Sequence, residues 1–261
     1  MTTQELVFKS PSISIDVAKG PSASDLECAF ALFFAFKKLK KGVSIFGDIS
    51  QFSIISDNKT KEKTVAVTLR GISNIVSKIY YERDNKDLRL YFSLKKGGFS
   101  EKDLAVETKP SSDLTLIVGE NHSEYNHPKV TKTLINSVLE MLNKDDRNQI
   151  LLLSRILSKA EYKQNQKLCV CSIDASWFSE THTSPKQLAP IIEELRVNSN
   201  GSFSYLLLFQ EQNFGKGLLW SEDIDLKKRF DSLSEKQERG PWMILKGANT
   251  RELKEKIQSI L

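Results

Sequence analysis

The stretch Pro21-Ser-Ala-Ser-Asp25-Leu-Glu27-Cys28-Ala-Phe30-Ala-Leu-Phe33-Phe34-Ala-Phe36-Lys-Lys38 decides the fold. It reads as a turn, an N-cap, two carboxylates and then a strongly apolar helix. Ser24 fits the N-cap and Glu27 the third helical position, which together make a capping box. Phe30, Phe33, Phe34 and Phe36 recur at helical spacing, which marks core packing rather than a surface platform for bases. Lys37, Lys38, Lys40 and Lys41 suit the negative end of the helix dipole, and Gly42 is the expected stop. Val43-Ser-Ile-Phe46 follows as a strand. Helix then strand is the rhythm of an α/β sheet.

Working outward, Ile13-Ser-Ile15-Asp-Val17 alternates as a short strand before the helix. Residues 65–93 differ in texture. Val65–Leu69, Ile75–Tyr81 and Leu88–Phe92 read as strands, with Asp84-Asn-Lys-Asp87 as a hairpin turn. This predicts an antiparallel insertion at the edge of the main sheet. Leu114-Thr-Leu-Ile-Val118 reads as a buried strand, a polar segment from Gly119 to Pro128 follows, and helices are expected over 128–142 and 145–159. Polar Glu161 to Gln166 reads as a connector. The pattern then restarts with strands at 168–173, 203–209, 216–220 and 242–245 and helices at 184–196, 222–233 and 250–260. The expected fold class is α/β: a mainly parallel sheet flanked by helices, with an antiparallel insertion at about 65–93, followed by a smaller α/β module. The expected domains are 1–160 and 161–261.

Composition bounds the function classes. The chain has 261 residues, 39% hydrophobic and 27% charged, in the ordinary globular range. No apolar run approaches the ~18 residues that span a bilayer, so no membrane association is expected. No basic-then-apolar leader is visible, and the expected location is cytoplasmic. Cys28, Cys169 and Cys171 do not form a disulfide framework; Cys169 and Cys171 share a strand face as buried thiols. The net charge of +5 permits weak attraction to anionic ligands without requiring it. A phosphate loop of the Gly-x-x-x-x-Gly-Lys-Ser/Thr type and a Gly-x-Ser-x-Gly nucleophile turn are both missing from the sequence.

Three segments resemble the DHH–DHHA1 phosphoesterases, the superfamily of RecJ exonucleases, nano-RNases and cyclic-dinucleotide phosphodiesterases. Ser24-Asp25-Leu-Glu27-Cys-Ala-Phe-Ala-Leu stands in the place of that family's Asp-x-Asp-Ala-x-x-Ser. Leu114–Val118 stands in the place of the strand that ends in a ligand aspartate. Thr183-Ser-Pro-Lys-Gln-Leu, Ile191–Leu195, Tyr205–Phe209 and Gly217–Ser221 are similar to the DHHA1-like module of small bacterial relatives. The resemblance implies a metal domain, a DHHA1-like substrate module and a cleft between them. It also implies two Mn²⁺ ions ~3.5–4 Å apart that activate water against a phosphodiester.

The departures are specific. Small residues replace the early histidine, Gly119 stands where an aspartate is expected after Val118, and the Asp-His-His triplet is missing. Asn121–His127 lies nearest to it. The glycine-rich Gly-Gly-Gly-His motif is also missing, and Arg239–Gly247 lies roughly in its place. Asp25 and Glu27 are the candidate catalytic carboxylates, and Asp25, Glu27, Glu120, His122 and His127 the candidate metal ligands; helix capping is the preferred reading of the first two. Trp220, Arg239, Trp242 and Lys246 are the candidate ligand-binding residues, with interface packing as the plainer reading of the tryptophans. The expected function is therefore a DHH-like scaffold without its bimetal centre, which binds a nucleotide, a short oligonucleotide or a protein partner and needs no cofactor. The alternatives are an active Mn²⁺- or Mg²⁺-dependent phosphodiesterase and a structural assembly protein. Monomer and homodimer both remain open.

Overall fold

A computed structural model describes residues 2–47, 63–69, 76–83, 88–95, 104–110, 112–119, 129–163, 167–199, 203–237 and 240–261. The chain forms two compact units, Met1–Asn58 with Ser112–Leu261, and Lys59–Ser111. The fold is α/β, as the sequence predicts, with a parallel sheet, a second α/β region and an antiparallel insertion. No helix among the described residues is long and apolar enough to cross a membrane.

The first unit begins with α1 (Thr3–Lys9), β1 (Ser12–Val17), α2 (Ala23–Lys38) and β2 (Gly42–Gly47). β1 pairs in parallel with β2 on one side and with β7 (Leu114–Val118) on the other. Ser12 donates through its backbone N and Oγ to Asp113 Oδ2, at 2.8 and 2.7 Å. These bonds hold the Asp113 carboxyl below its usual range and pin the start of β7 to β1. On the opposite strand pair, the buried Ser14 and Ser44 hydroxyls bond each other at 3.0 Å.

Every α2 residue from Ala29 to Phe36 is buried, because the helix lies between this sheet and another helix. Its start differs from the expectation. The N-cap is Ser22 and the third helical residue is Asp25, whose carboxylate accepts from Ser22 N and Oγ at 2.9 and 2.7 Å. Ser22-x-x-Asp25 and Ser24-x-x-Glu27 both fit the capping pattern. The earlier box lengthens the helix and frees Glu27 for an ion pair. Its stop differs too. Lys40, at φ 58°, turns the chain while Lys40 N and Lys41 N reach back to Lys37 O and Phe36 O, and Gly42 opens β2.

The basic cluster at this end ties elements together. Lys37 donates to Asn198, Lys38 pairs with Asp146 and Glu194, and Lys41 donates to the carbonyls of Phe8 and Ser10.

α3 (Lys132–Leu139) and α4 (Lys144–Lys159) follow β7, and α4 packs along α2. The remaining strands form a six-stranded mixed sheet in the order β12-β13-β11-β10-β9-β8. They are β8 (Glu161–Lys163), β9 (Leu168–Ser172), β10 (Ser204–Glu211), β11 (Phe214–Trp220), β12 (Ser234–Gln237) and β13 (Trp242–Gly247). β8 occupies part of the expected connector. One sheet face carries Cys169, Cys171, Tyr205 and Leu207 and joins α2, α4 and α6 (Leu188–Asn198) in one core that runs across residue 161. The other face carries Leu206, Leu208 and Leu219, under α7 (Ile224–Arg229) and α8 (Thr250–Ile260). α5 (Ala175–Glu180), absent from the sequence reading, is a six-residue helix capped by Asp174.

The second unit is built from β3 (Lys63–Leu69), β4 (Val76–Arg83), β5 (Leu88–Leu94) and β6 (Leu104–Pro110). β3 pairs antiparallel with β6, and β4 with β5. Among the described residues the two ladders are separate two-stranded sheets. The sequence reading lacked β6 and placed the patch at the edge of the main sheet. Among the described residues these strands pair only with each other.

Two outcomes test this core. Phe33→Ala removes a fully buried ring and is expected to cost about 3–5 kcal/mol in urea unfolding. The second concerns the thiols. Burial pushes the Cys169 thiol from 9.0 up to about 12, and Cys171 rises for the same cause. The unfolded chain therefore loses these protons first, and stability falls as pH rises from about 9 toward 12. Iodoacetamide at neutral pH is expected to label half-buried Cys28 slowly, and Cys169 and Cys171 only after unfolding.

Candidate functional site

In an open α/β sheet, ligands bind past the carboxyl ends of the strands, where strand order reverses. Here β1 is that position, with β2 to one side and β7 to the other. The residues at and just past the three ends are Ala18, Gly47 and Gly119, and the chain packs too tightly there for anything larger. A Cβ on Gly47, at φ 102°, would lie 2.1 Å from Val17 O. One on Gly119, at φ 103°, would lie 2.8 Å from Ala18 Cβ. Among the described residues just past these strand ends none carries a ligating side chain, and the positions after Gly47 and Gly119 lie outside the described residues.

The two acidic candidates nearby already have partners. Asp25 is the capping carboxylate of α2. Glu27 Oε1 accepts from Arg155 Nε at 3.2 Å, and Arg155 also pairs with Glu180. The Arg155 guanidinium stands 6.0 Å from the Trp177 ring centroid. Its burial opposes the charge, but Glu180 and Glu27 outweigh that and hold it protonated. This cluster links α2, α4 and α5. Burial, with Glu27 and Asp25 beside it, also raises the Cys28 thiol.

Among the described residues no three His, Cys, Asp or Glu side chains converge to hold a metal ion, and the described donors do not fit a bimetal centre. Glu120, His122, His127 and Arg239 lie outside the described residues. His182 is exposed, in a left-handed turn at φ 52°.

The ligand-binding candidates in the described residues meet on one face of the six-stranded sheet. Trp220 pairs with Trp242 and Lys216 with Lys246 across β11 and β13. Alternation puts Leu218 and Ile244 between them on the same face. The rung through the tryptophans continues to Tyr205, Cys169 and Tyr162. Cover thins along it: Tyr205 is fully buried, Trp220 is 5% exposed and Trp242 is half-buried.

Trp220 is enclosed by Tyr205, at 6.2 Å between centroids, and by the Arg196 guanidinium at 5.5 Å. It supports the face, and Trp242, partly buried against the same core, keeps part of its surface exposed. At the far end Lys246 Nζ stands 4.5 Å over the Phe214 ring, and Lys216 pairs with Glu211 at 2.7 Å. A partly exposed indole with two ammonium groups four residues further along its strand pair is chemically suited to an oligonucleotide, a base at one end and a phosphate at the other.

No family model matches the chain, and no curated protein does. A solved structure that it resembles is described as an exopolyphosphatase-related protein from Bacteroides fragilis. The two share 7% identity at a TM-score of 0.37, over 98% of this chain and 93% of that one.

Arg155, Glu180, Leu218 and Ile244 escape the sequence reading. Arg155 and Glu27 are 128 residues apart, and nothing local in either segment pairs them. Leu218 and Ile244 do leave a trace. Lys216-x-Leu-x-Trp220 and Trp242-x-Ile-x-Lys246 are mirror images, as antiparallel neighbours sharing a face must be.

Gly119→Asp places an acidic side chain directly after β7. It is expected to lose about 1–3 kcal/mol of stability to backbone strain. Calorimetric titration of the variant with Mn²⁺ is expected to stay flat.

Proposed function

We propose that this chain is a non-catalytic binding protein built on a DHH–DHHA1-like scaffold, with a nucleotide or short oligonucleotide as its ligand. The division into modules at about residue 161 and a cytoplasmic location belong to this reading. The observation that carries it is the convergence of Trp242, Lys216 and Lys246 on one face of β11 and β13. The engagement of Asp25 in a cap and of Glu27 with Arg155 supports the non-catalytic half of the reading. In this reading a base stacks on Trp242, and phosphates meet the lysine end of the face.

Stacking on an aromatic side chain contributes about 1–3 kcal/mol per base, and each phosphate contact adds salt dependence. Lys246 rests on Phe214, so its ammonium is held over the face. Net charge of +5 adds a mild general attraction.

Tryptophan fluorescence titrated with pApA or a short oligoadenylate tests the reading. Saturable quenching, weakened by salt, is expected. Trp242→Ala is expected to raise the dissociation constant about tenfold or more, and Lys246→Glu to weaken binding and flatten the salt dependence. Absence of binding to either probe would remove the nucleotide reading. Mn²⁺-dependent hydrolysis of pApA, cyclic di-AMP or short RNA that is lost in Asp25→Ala would establish the phosphodiesterase alternative instead.

A further inference from the structure

The β4–β5 ladder of the insertion has two unlike faces. Lys78, Tyr80 and Glu82 of β4 share one with Arg89 and Tyr91 of β5. On that face the Tyr80 and Tyr91 rings stack at 5.0 Å, and the Tyr91 hydroxyl donates to Glu82 at 3.0 Å. The opposite face carries Ile79, Tyr81, Leu90 and Phe92. It is open to solvent: Ile79 is 64% exposed, Tyr81 70% and Leu90 40%. A two-stranded ribbon is marginal in water until a further strand or a packed face supports it. Among the described residues no strand pairs with the other edge of β4, and an open strand edge is a template for such a strand.

We propose that β4 pairs edge to edge with β4 of a second copy of this chain, about a two-fold axis at Tyr80. The two hairpins then form one four-stranded antiparallel sheet. The β4 sequence suits its own reflection. Antiparallel pairing about Tyr80 sets Lys78 opposite the partner's Glu82, and symmetry repeats that ion pair. On the other face Ile79 lies opposite the partner's Tyr81, and the apolar surface becomes continuous across the two copies.

The β5 edge offers no equivalent. Reflection about Tyr91 sets Arg89 against Ser93 and makes no charge pair. The charge reflection in β4 therefore selects a second copy and one register.

Sedimentation velocity of the full chain over a wide concentration range tests this, with a monomer–dimer equilibrium as the expected result. Lys78→Glu places carboxylates opposite each other and is expected to raise the dimer dissociation constant about tenfold or more. The charge-swapped Lys78→Glu/Glu82→Lys chain is expected to dimerise again. Hydrogen exchange reads the same edge independently: amides of Val76–Arg83 are expected to be protected at high concentration in the native chain and to exchange faster in Lys78→Glu. Three results would each overturn the proposal: a monomer at every concentration, a dimer indifferent to Lys78→Glu, or a swapped chain that stays monomeric.

Discussion

The burial of α2 on all sides is the constraint from which the rest of the first unit follows. A helix that presents apolar side chains all round has no solvent face, so it needs a layer on each flank. The β2-β1-β7 sheet supplies one layer and α4 the other, and α4 in turn covers β9. Burying each phenylalanine contributes about 1.5–3 kcal/mol, so Phe30, Phe33, Phe34 and Phe36 form a large part of what joins the two sheets. The polar ends of the helix are then fixed by position. Asp25 closes the first turn, Glu27 meets Arg155, and the lysines of the last turn reach α4, α6 and the end of α1.

That arrangement bears on chemistry. A carboxylate that caps a helix or balances a half-buried guanidinium lowers the free energy of the fold in its ionised, bonded state. Recruiting it to a cation would forfeit those bonds. Gly47 and Gly119 are closed against Val17 and Ala18, so neither position takes a side chain without a backbone shift. The β11–β13 face differs: its apolar and basic groups are held in register by two strands and remain partly open. The binding reading takes its strength from this contrast between a closed strand edge and an open sheet face.

What the sequence disclosed follows the range of each interaction. α2 and β11 and β13 were legible because their signals are periodic and local. The exact start of α2 was not, because two overlapping Ser-x-x-acid boxes both fit the capping pattern and the helix uses the earlier one. Lys40 in place of glycine hid the helix stop, since a lysine at positive φ is unusual. α5 has only six residues, too few to show a period. β6, Leu-Ala-Val-Glu-Thr-Lys-Pro, is half polar and acquires its identity from pairing with β3. Trp242 and Lys246, both candidates from the sequence, share a face of β13 through the strand period. The role of Arg155 was not legible, because it exists only once two helices cross.

The insertion also bears on how the chain reaches this state. β1 and β7 must pair across a long separation, and the Ser12–Asp113 bonds span 101 residues. Such contacts slow folding, because the entropy of closing the loop is lost before the contact forms. The β3–β6 ladder, however, brings Lys63 beside Pro110. Once it has formed, the stretch still to be closed between β2 and β7 is far shorter than the sequence distance. The central parallel sheet is therefore expected to complete after the local helices and ladders, since β1 draws its two partners from either side of the insertion.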